Sequence, residues 1–572
     1  MKGDLLRMKT AMAMAVALLA TITLADSVFE SNTVPSATTQ IDKLVFNRLA
    51  RLNVHPVLCS DAVFVRRAYL DAIGTLPTAQ EARDFIRDPD TKNKRRLLVD
   101  RLLERPEFAD YWAMKWGDIL RIKAEFPVNL WPNAAQAYHR WVRASIAENK
   151  PYDKFAREML TASGSNFRVG PVNFYRAIQS RTPEGIAAAV SLTFMGTRAE
   201  VWPANYLAGM AAFFSQVGYK PTSEWKEEVV FSDPVGASTV PGQSAPGRDA
   251  IVTPGAATNP PPATVMVSTN RPPAMGLFPD NTKVKLPPNK DPREIFADWL
   301  VNPRNPWFAR NAVNRIWHWL LGRGIVHEPD YNRRENLPSN PELLAYLERE
   351  LITAKYDMKH IYRLILNSQT YQLSSMPRYA NNPQAEANFA GYPLRRLDAE
   401  VLIDAINDIT GTTDLYTSAI PEPFTYIPEN LPAIAIADGS ITSPFLTLFG
   451  RSARATGMVS ERDNKPVPGQ WLHMLNSSNI QRKIEQSAKL KAIYYNSTRK
   501  PPEIIEDLYL TILSRFPTAE EIATAEAYGA PVQQKTSQKK DGQKKYGQQK
   551  RWEDWVDITW SLLNSSEFLY RH

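Results

Sequence analysis

The sequence predicts a mainly α, multi-helical protein in which two helical domains are joined by a Pro-rich linker carrying a small β element. Three observations lead there. First, 44 prolines and 14 tryptophans in 572 residues point to many short helices joined by rigid turns. Second, helix-start signatures recur along the chain, with Thr-x-x-Glu spacing at Thr78 and Glu81 and again at Thr518 and Glu521. Third, residues 232 to 290 lose the helical pattern and become rich in Pro, Ala and Thr. With 44% hydrophobic and 22% charged residues, the chain reads as globular and long enough for two or three cores.

The elements follow in order. Residues 1–25 read as a signal peptide. Lys2, Arg7 and Lys9 precede the apolar run "TAMAMAVALLATITLA", and Thr23 and Ala25 form a small-residue cleavage site before Asp26. An uncleaved anchor is the alternative. No later run is long and apolar enough for a membrane span, so the mature chain is expected in the periplasm or outside the cell, at the envelope.

Residues 40–230 are expected as the first helical domain. In "RTPEGIAAAVSLTFMG", Thr182 is the expected N-cap, Pro183 the first helical residue and Gly196 the stop. That helix is apolar nearly all round and should be buried. Residues 231–290 form the linker, with "ATVMVST" as its strand-like patch. Residues 291–572 form the second helical domain, opened by Asp291, Pro292 and Glu294, with a further capping box expected at Ser339 and Glu342.

The two ends of the chain resemble each other. "YLDAIGTLPTAQEARDF" (69–85) aligns with "YLTILSRFPTAEEIATA" (509–525), and "LLERPEFADYW" (102–112) with "LLNSSEFLYRH" (562–572). The later copy is longer by about the length of a Lys/Gln-rich loop at 533–551. Such a repeat is evidence of architecture rather than catalysis.

Charge and cysteine content exclude several functions. The net charge is +8, of which the signal region supplies +2 and residues 535–551 supply +6, so the rest sums to zero. That distribution argues against a nucleic-acid-binding face. Lys539, Lys540, Lys544 and Lys545 of the loop could instead contact an anionic polymer or a membrane surface. Cys59 is the only cysteine, which excludes an intrachain disulfide, a multi-cysteine metal site and c-type haem attachment.

Candidate chemistry is sparse. The densest polar and aromatic stretch, 314–347, holds His318, His327, Glu328 and Asp330 as weak acid/base or metal candidates. The histidines stand nine positions apart across a Gly-Arg-Gly break, which does not suit a helical metal pair. The structural alternative has Trp317 and Trp319 anchoring a helix, or serving as partner-contact residues, with Arg315 and Arg323 tying its ends. Arg396, Glu400 and Asp404, at i, i+4 steps, read as a solvated or interface ion-pair row. Ser163 and Ser165 lack a nucleophile elbow, and no phosphate-binding glycine motif is present.

Several segments together carry a resemblance: "CSDAVFVRRAYLDAIGTLPTAQEARDFI", "RRLLVDRLLERPEFADYWAMKWGDILR", "NPWFARNAVNRIWHWLLGRGIV", "YDMKHIYRLILNSQTYQLSS" and "GQWLHMLNSSNIQRKI". They resemble a secreted bacterial family with paired DUF1549 and DUF1553 domains, abundant in Planctomycetes and Verrucomicrobia. That resemblance implies an exported protein, an association with a cytochrome-c-like domain in relatives, and a DUF1501-type protein as partner. It names no reaction.

In many relatives a Cys-x-x-Cys-His-x-His-Pro-like segment follows "F-x-G-x-R", and a second Cys-containing stretch follows "FGR". Here "AEVWPANYLAGMAAFF" and "FGRSARATGMVSERDNKP" stand in those places without cysteine. The paired departure implies that the two segments act together in relatives, as one metal or haem site, and that this chain retains the scaffold alone. The expectation is therefore a non-catalytic scaffold or binding protein of the envelope, with no cofactor. The alternatives are a polysaccharide hydrolase built on His318, His327, Glu328 and Asp330, or a redox-associated protein with non-covalent haem on a His or Met pair.

Overall fold

The computed structural model describes residues 28–234, 274–529 and 550–572, apart from 334, 377, 380–381 and 496–498. The signal region, the "ATVMVST" patch and most of the Lys/Gln loop lie outside the described residues. Helices dominate what is described, with a few small β elements.

Four of the five helix starts read from the sequence fall where expected. The Ala79–Arg87 and Ala519–Ala527 helices open on complete capping boxes: each Thr hydroxyl accepts from the Glu backbone N–H at 3.2 Å, and each Glu carboxylate accepts from the Thr N–H. Thr182 caps Pro183–Val190, and Asp291 caps Pro292–Leu300. The Pro183 helix passes into a π-helical turn, Ser191–Met195, and ends at Gly196 in the left-handed conformation.

One start differs by a residue. The Pro341–Thr353 helix is capped by Asn340, whose side chain accepts from Leu343 N at 3.1 Å. Pro341 suits the first helical position, so the cap falls on the residue before it. Ser339 instead donates its hydroxyl to the Ile325 carbonyl.

The β elements are short antiparallel pairings. Val217–Pro221 and Gly164–Ser165 flank Glu228–Ser232 in an antiparallel sheet, with Tyr219 opposite Val230 and Gly164 opposite Val230 on the other side. Ala274–Leu277 pairs with Lys283–Leu286, and Arg395–Arg396 with Tyr570–Arg571.

Buried side chains form one continuous cluster from Ile41 to Leu569. At its centre the Pro106–Ile119 and Phe308–Leu321 helices meet through Trp319, whose ring centroid lies 5.5 Å from Trp112 and 5.6 Å from Trp116. The two sequence-related units also pack on one another. Arg83 pairs with Asp507 at 2.6 Å, and the buried Arg66 donates to the carbonyls of Ile512 and Phe568 at 2.9 Å. Each unit holds an equivalent carboxylate pair bridged by an arginine from a different position. Arg105 joins Glu81 and Glu107 in the first, and Arg515 joins Glu521 and Glu567 in the second.

Candidate functional site

Beside the tryptophan contact, charged residues from five segments close around a cavity of about 190 Å³. Lys115 and Asp118 come from the Pro106–Ile119 helix and His318 from the Phe308–Leu321 helix. Arg395 and Arg396 form a short strand that places Asp398 at the start of the Ala399–Thr410 helix. Arg462 arrives on the loop after Phe449, and Arg571 from the strand paired with Arg395–Arg396.

Asp398 is the hub. Its Oδ2 accepts from Lys115 Nζ at 2.8 Å, Arg571 Nη2 at 2.6 Å and the Tyr111 hydroxyl at 3.3 Å, while Oδ1 accepts from Asn464 Nδ2 at 2.8 Å. Burial alone would raise its pKa, but Lys115, Arg571 and Arg462 outweigh that and hold it well below the usual carboxylate range. Arg462 bridges Asp118 at 2.8 Å and Glu400 at 2.5 Å, and Arg454 takes the other oxygen of Asp118 at 3.0 Å. Glu400 is fully buried, which opposes ionisation, yet Arg462 and Arg451 bring its pKa to about 2.

The cations respond in the opposite sense. Burial lowers the Lys115 pKa to about 8, with Asp398 working against the fall and Arg462 and Arg571 adding to it. Burial, helped by Arg395, brings the His318 pKa to about 3, so its imidazole is neutral.

The Arg454–Arg462 loop depends on Gly450, which has φ +74° and would drive a Cβ into the Asp463 carbonyl oxygen. Gly450→Ala is expected to cost on the order of 2 kcal/mol through strain and overpacking. Thermal unfolding measures it, and an unchanged Tm would show that the loop can move aside.

Residues 40–200 match the family described as PSCyt2, protein of unknown function (DUF1549), and residues 292–529 match PSD1, protein of unknown function (DUF1553). The chain belongs to the DUF1549/DUF1553 family. No curated protein and no solved structure matches it. The cavity thus joins the two matched parts, with Lys115 and Asp118 from the DUF1549 part and His318, Arg395, Arg396, Asp398 and Arg462 from the DUF1553 part.

The structure separates the residues singled out in the DUF1553 part. His318 lines the charged cavity, whereas His327 lines a neighbouring groove of about 390 Å³ with Arg323, Tyr379 and Glu386. Glu328 is exposed. Asp330 is buried, accepting from Arg315 at 3.0 Å and from the Val459 backbone N–H at 2.6 Å. The four therefore share no pocket. Among the described residues, no group of three or more His, Cys, Asp or Glu is placed to hold a metal ion.

Trp317 and Trp319, named as partner contacts, are buried instead. Trp317 packs edge-on against Phe389, and Trp319 against Trp112 and Trp116. Lys539, Lys540, Lys544 and Lys545 lie outside the described residues.

The row Arg396, Glu400 and Asp404 is also corrected: all three are buried and none pairs with another. Arg396 donates to the Phe449 carbonyl, Glu400 takes Arg451 and Arg462, and Asp404 accepts from the N–H groups of Ala433 and Ile434. An i, i+4 spacing sets a common helix face but does not say whether that face meets water or a loop rich in arginine.

The turn just before the first departing segment and the second departing segment both reach the 330–332 stretch. Gly196 O accepts from Asn332 N at 2.9 Å, and Thr197 donates to Asn332 O at 3.2 Å. The second segment reaches the same stretch through Val459 and Asp330.

Sequence reasoning missed Lys115, Asp118, Asp398, Arg454, Arg462 and Arg571. The signal it had was a charge inside an apolar helix, as in "AMKWGDIL", or a doubled arginine before a helix, as in "PLRRLDAEV".

Proposed function

We propose that this protein is an exported, non-catalytic scaffold or binding protein of the bacterial cell envelope. It retains the framework of a Cys-bearing family and docks a second exported protein, of the DUF1501 type that the family context implies. The observation that carries this reading is the outer face of the Pro468–Asn476 helix. Trp471, Leu472 and Leu475, with Val467 just before them, are 42–57% exposed and share one side, while Gln470 and Met474 are buried on the other. A cluster of large apolar side chains facing water on one helix marks a protein contact.

The polar groups support the same reading. Asp118, Asp330, Asp398 and Glu400 are each committed to buried arginine pairs, an arrangement that fixes architecture. The Lys/Gln loop adds a cationic segment suited to an anionic envelope polymer. Localisation in the periplasm or outside the cell follows from the signal-like first 25 residues.

The test is crosslinked capture from the native envelope with tagged wild type beside a Trp471→Glu, Leu472→Glu double variant. A DUF1501-type protein recovered in stoichiometric amount by wild type and lost by the folded variant is the expected result. Equal recovery by both would remove this face from the contact, and absence of such a protein from both would reject the reading.

A further inference from the structure

We infer that the cavity between the DUF1549 and DUF1553 parts is a binding site for a small dianionic oxyanion, a phosphate group or a short dicarboxylate. Five cations line it, Lys115, Arg395, Arg396, Arg462 and Arg571, against two carboxylates, Asp118 and Asp398. Both carboxylates are already saturated by hydrogen bonds within the protein.

Widening the circle does not balance the charge. Arg451 and Arg454 add two cations, while Glu400, Asp71, Asp463 beside Arg396 and Asp438 beside Arg454 add four carboxyl groups, so the cations still outnumber the carboxyls. An unmatched buried charge costs several kcal/mol, and proteins retain such an excess where a counter-charge binds. This is a local feature, because outside the signal region and the Lys/Gln loop the chain's charges sum to zero.

The donors are suited to oxygen. Nε of Arg396 and of Arg571 and Nδ1 of His318 are buried and have no hydrogen-bond partner in the protein. Arg396 and Arg571 are themselves only 3% exposed. Guanidinium groups match the spacing of carboxylate and phosphate oxygens, and their charge does not titrate away at neutral pH. Burial lowers the Lys115 pKa against the pull of Asp398, and Arg462 and Arg571 add to the fall.

Size and access set the class. A volume of about 190 Å³ is roughly six waters' share of liquid, enough for a phosphate group or a four-carbon diacid but not a polymer. The Arg395 side chain is 21% exposed and marks the way in. The site does not depend on the Pro468–Asn476 face, so partner capture can fail while anion binding holds.

The test is calorimetric titration of the mature full chain with sodium phosphate and, separately, sodium succinate. Both are run at neutral pH and constant ionic strength, with chloride as control and Tm read in parallel. The expected result is saturable binding of at least one dianion with a rise in Tm that chloride does not reproduce. Lys115→Gln should weaken that binding at least tenfold, whereas Arg378→Gln, in the neighbouring groove, should leave it unchanged. If Lys115→Gln does not fold, Arg395→Gln gives the same readout.

Binding of phosphate alone would assign a phosphate or phosphoester ligand, and binding of succinate alone a dicarboxylate. No saturable effect of either anion on wild type would overturn the inference. So would a folded Lys115→Gln variant, or Arg395→Gln in its place, that binds as wild type does.

Discussion

Asp398→Ala is expected to destabilise the protein by about 3–5 kcal/mol, the usual result of removing one member of a buried ion cluster. Asp398 is 1% exposed and answers Lys115 and Arg571 directly, with Arg462 at 3.9 Å. Its loss strands Lys115 in the core and leaves Arg571 with Asp71 alone, while Arg462 keeps Asp118 and Glu400. Asp398→Asn keeps the shape but not the charge, so it should cost less and in the same direction. Adding Lys115→Met to Asp398→Ala should recover part of the loss, because one stranded cation is then gone. Urea unfolding at unchanged m reads the difference. A shift of less than about 1 kcal/mol for Asp398→Ala would mean that water or an anion compensates the cluster unaided.

Stability should also fall steeply as pH drops below about 6.5. Burial brings His139, His318 and His572 each to about 3, from an ordinary value of 6.5. Between those values the unfolded chain binds protons that the folded chain refuses, so each histidine removes stability as pH falls. Each contributes on the order of 1.4 kcal/mol per pH unit within that window.

Asp404 works the other way. Burial raises it to about 7, so its contribution is fully present below the ordinary carboxylate range and is lost as pH rises through 7. Asp408 and Asp438 are raised by burial in the same sense. Glu400, lowered to about 2, acts with the histidines once pH falls below its ordinary value of 4.5.

Three full-sized histidine contributions exceed the opposing carboxyls. The net loss is therefore on the order of 2–3 kcal/mol per unit between pH 6 and 4. Tm measured from pH 6.5 to 4 should decline throughout, and His139→Gln should flatten the slope. A Tm constant from pH 7 to 5 would contradict the argument.

The residues that reveal this fold in the sequence differ from those that build its site. Thr78 with Glu81, and Thr518 with Glu521, announce their helices because a cap is a contact across three positions. The paired ends of the chain were legible for a related reason, since a repeat is a property of the string itself. That the two units lie against each other through Arg83 and Asp507, and use different arginines for equivalent carboxylates, was not legible.

The charged cavity shows the limit most clearly. Lys115 and Asp398 are 283 positions apart, and Asp71 and Arg571 are 500 apart. Nothing along the chain couples them. His318, His327, Glu328 and Asp330 looked related because they are close in sequence, yet the turn after Gly322 sends the two histidines to different cavities.

The sequence by itself determined the mainly α class, the helix starts at Thr78, Thr182, Asp291 and Thr518, the Pro-rich break and the end-to-end likeness. These rest on backbone sterics and hydrogen bonds between near neighbours, which composition and spacing record directly. Only the tertiary structure decided that Trp317 and Trp319 are core, that Trp471, Leu472 and Leu475 face water, and that Arg395, Arg396, Arg462 and Arg571 surround one cavity with Lys115. Burial and charge compensation are sums over all neighbours in space. The packing of distant helices sets those neighbours, whatever their order along the chain.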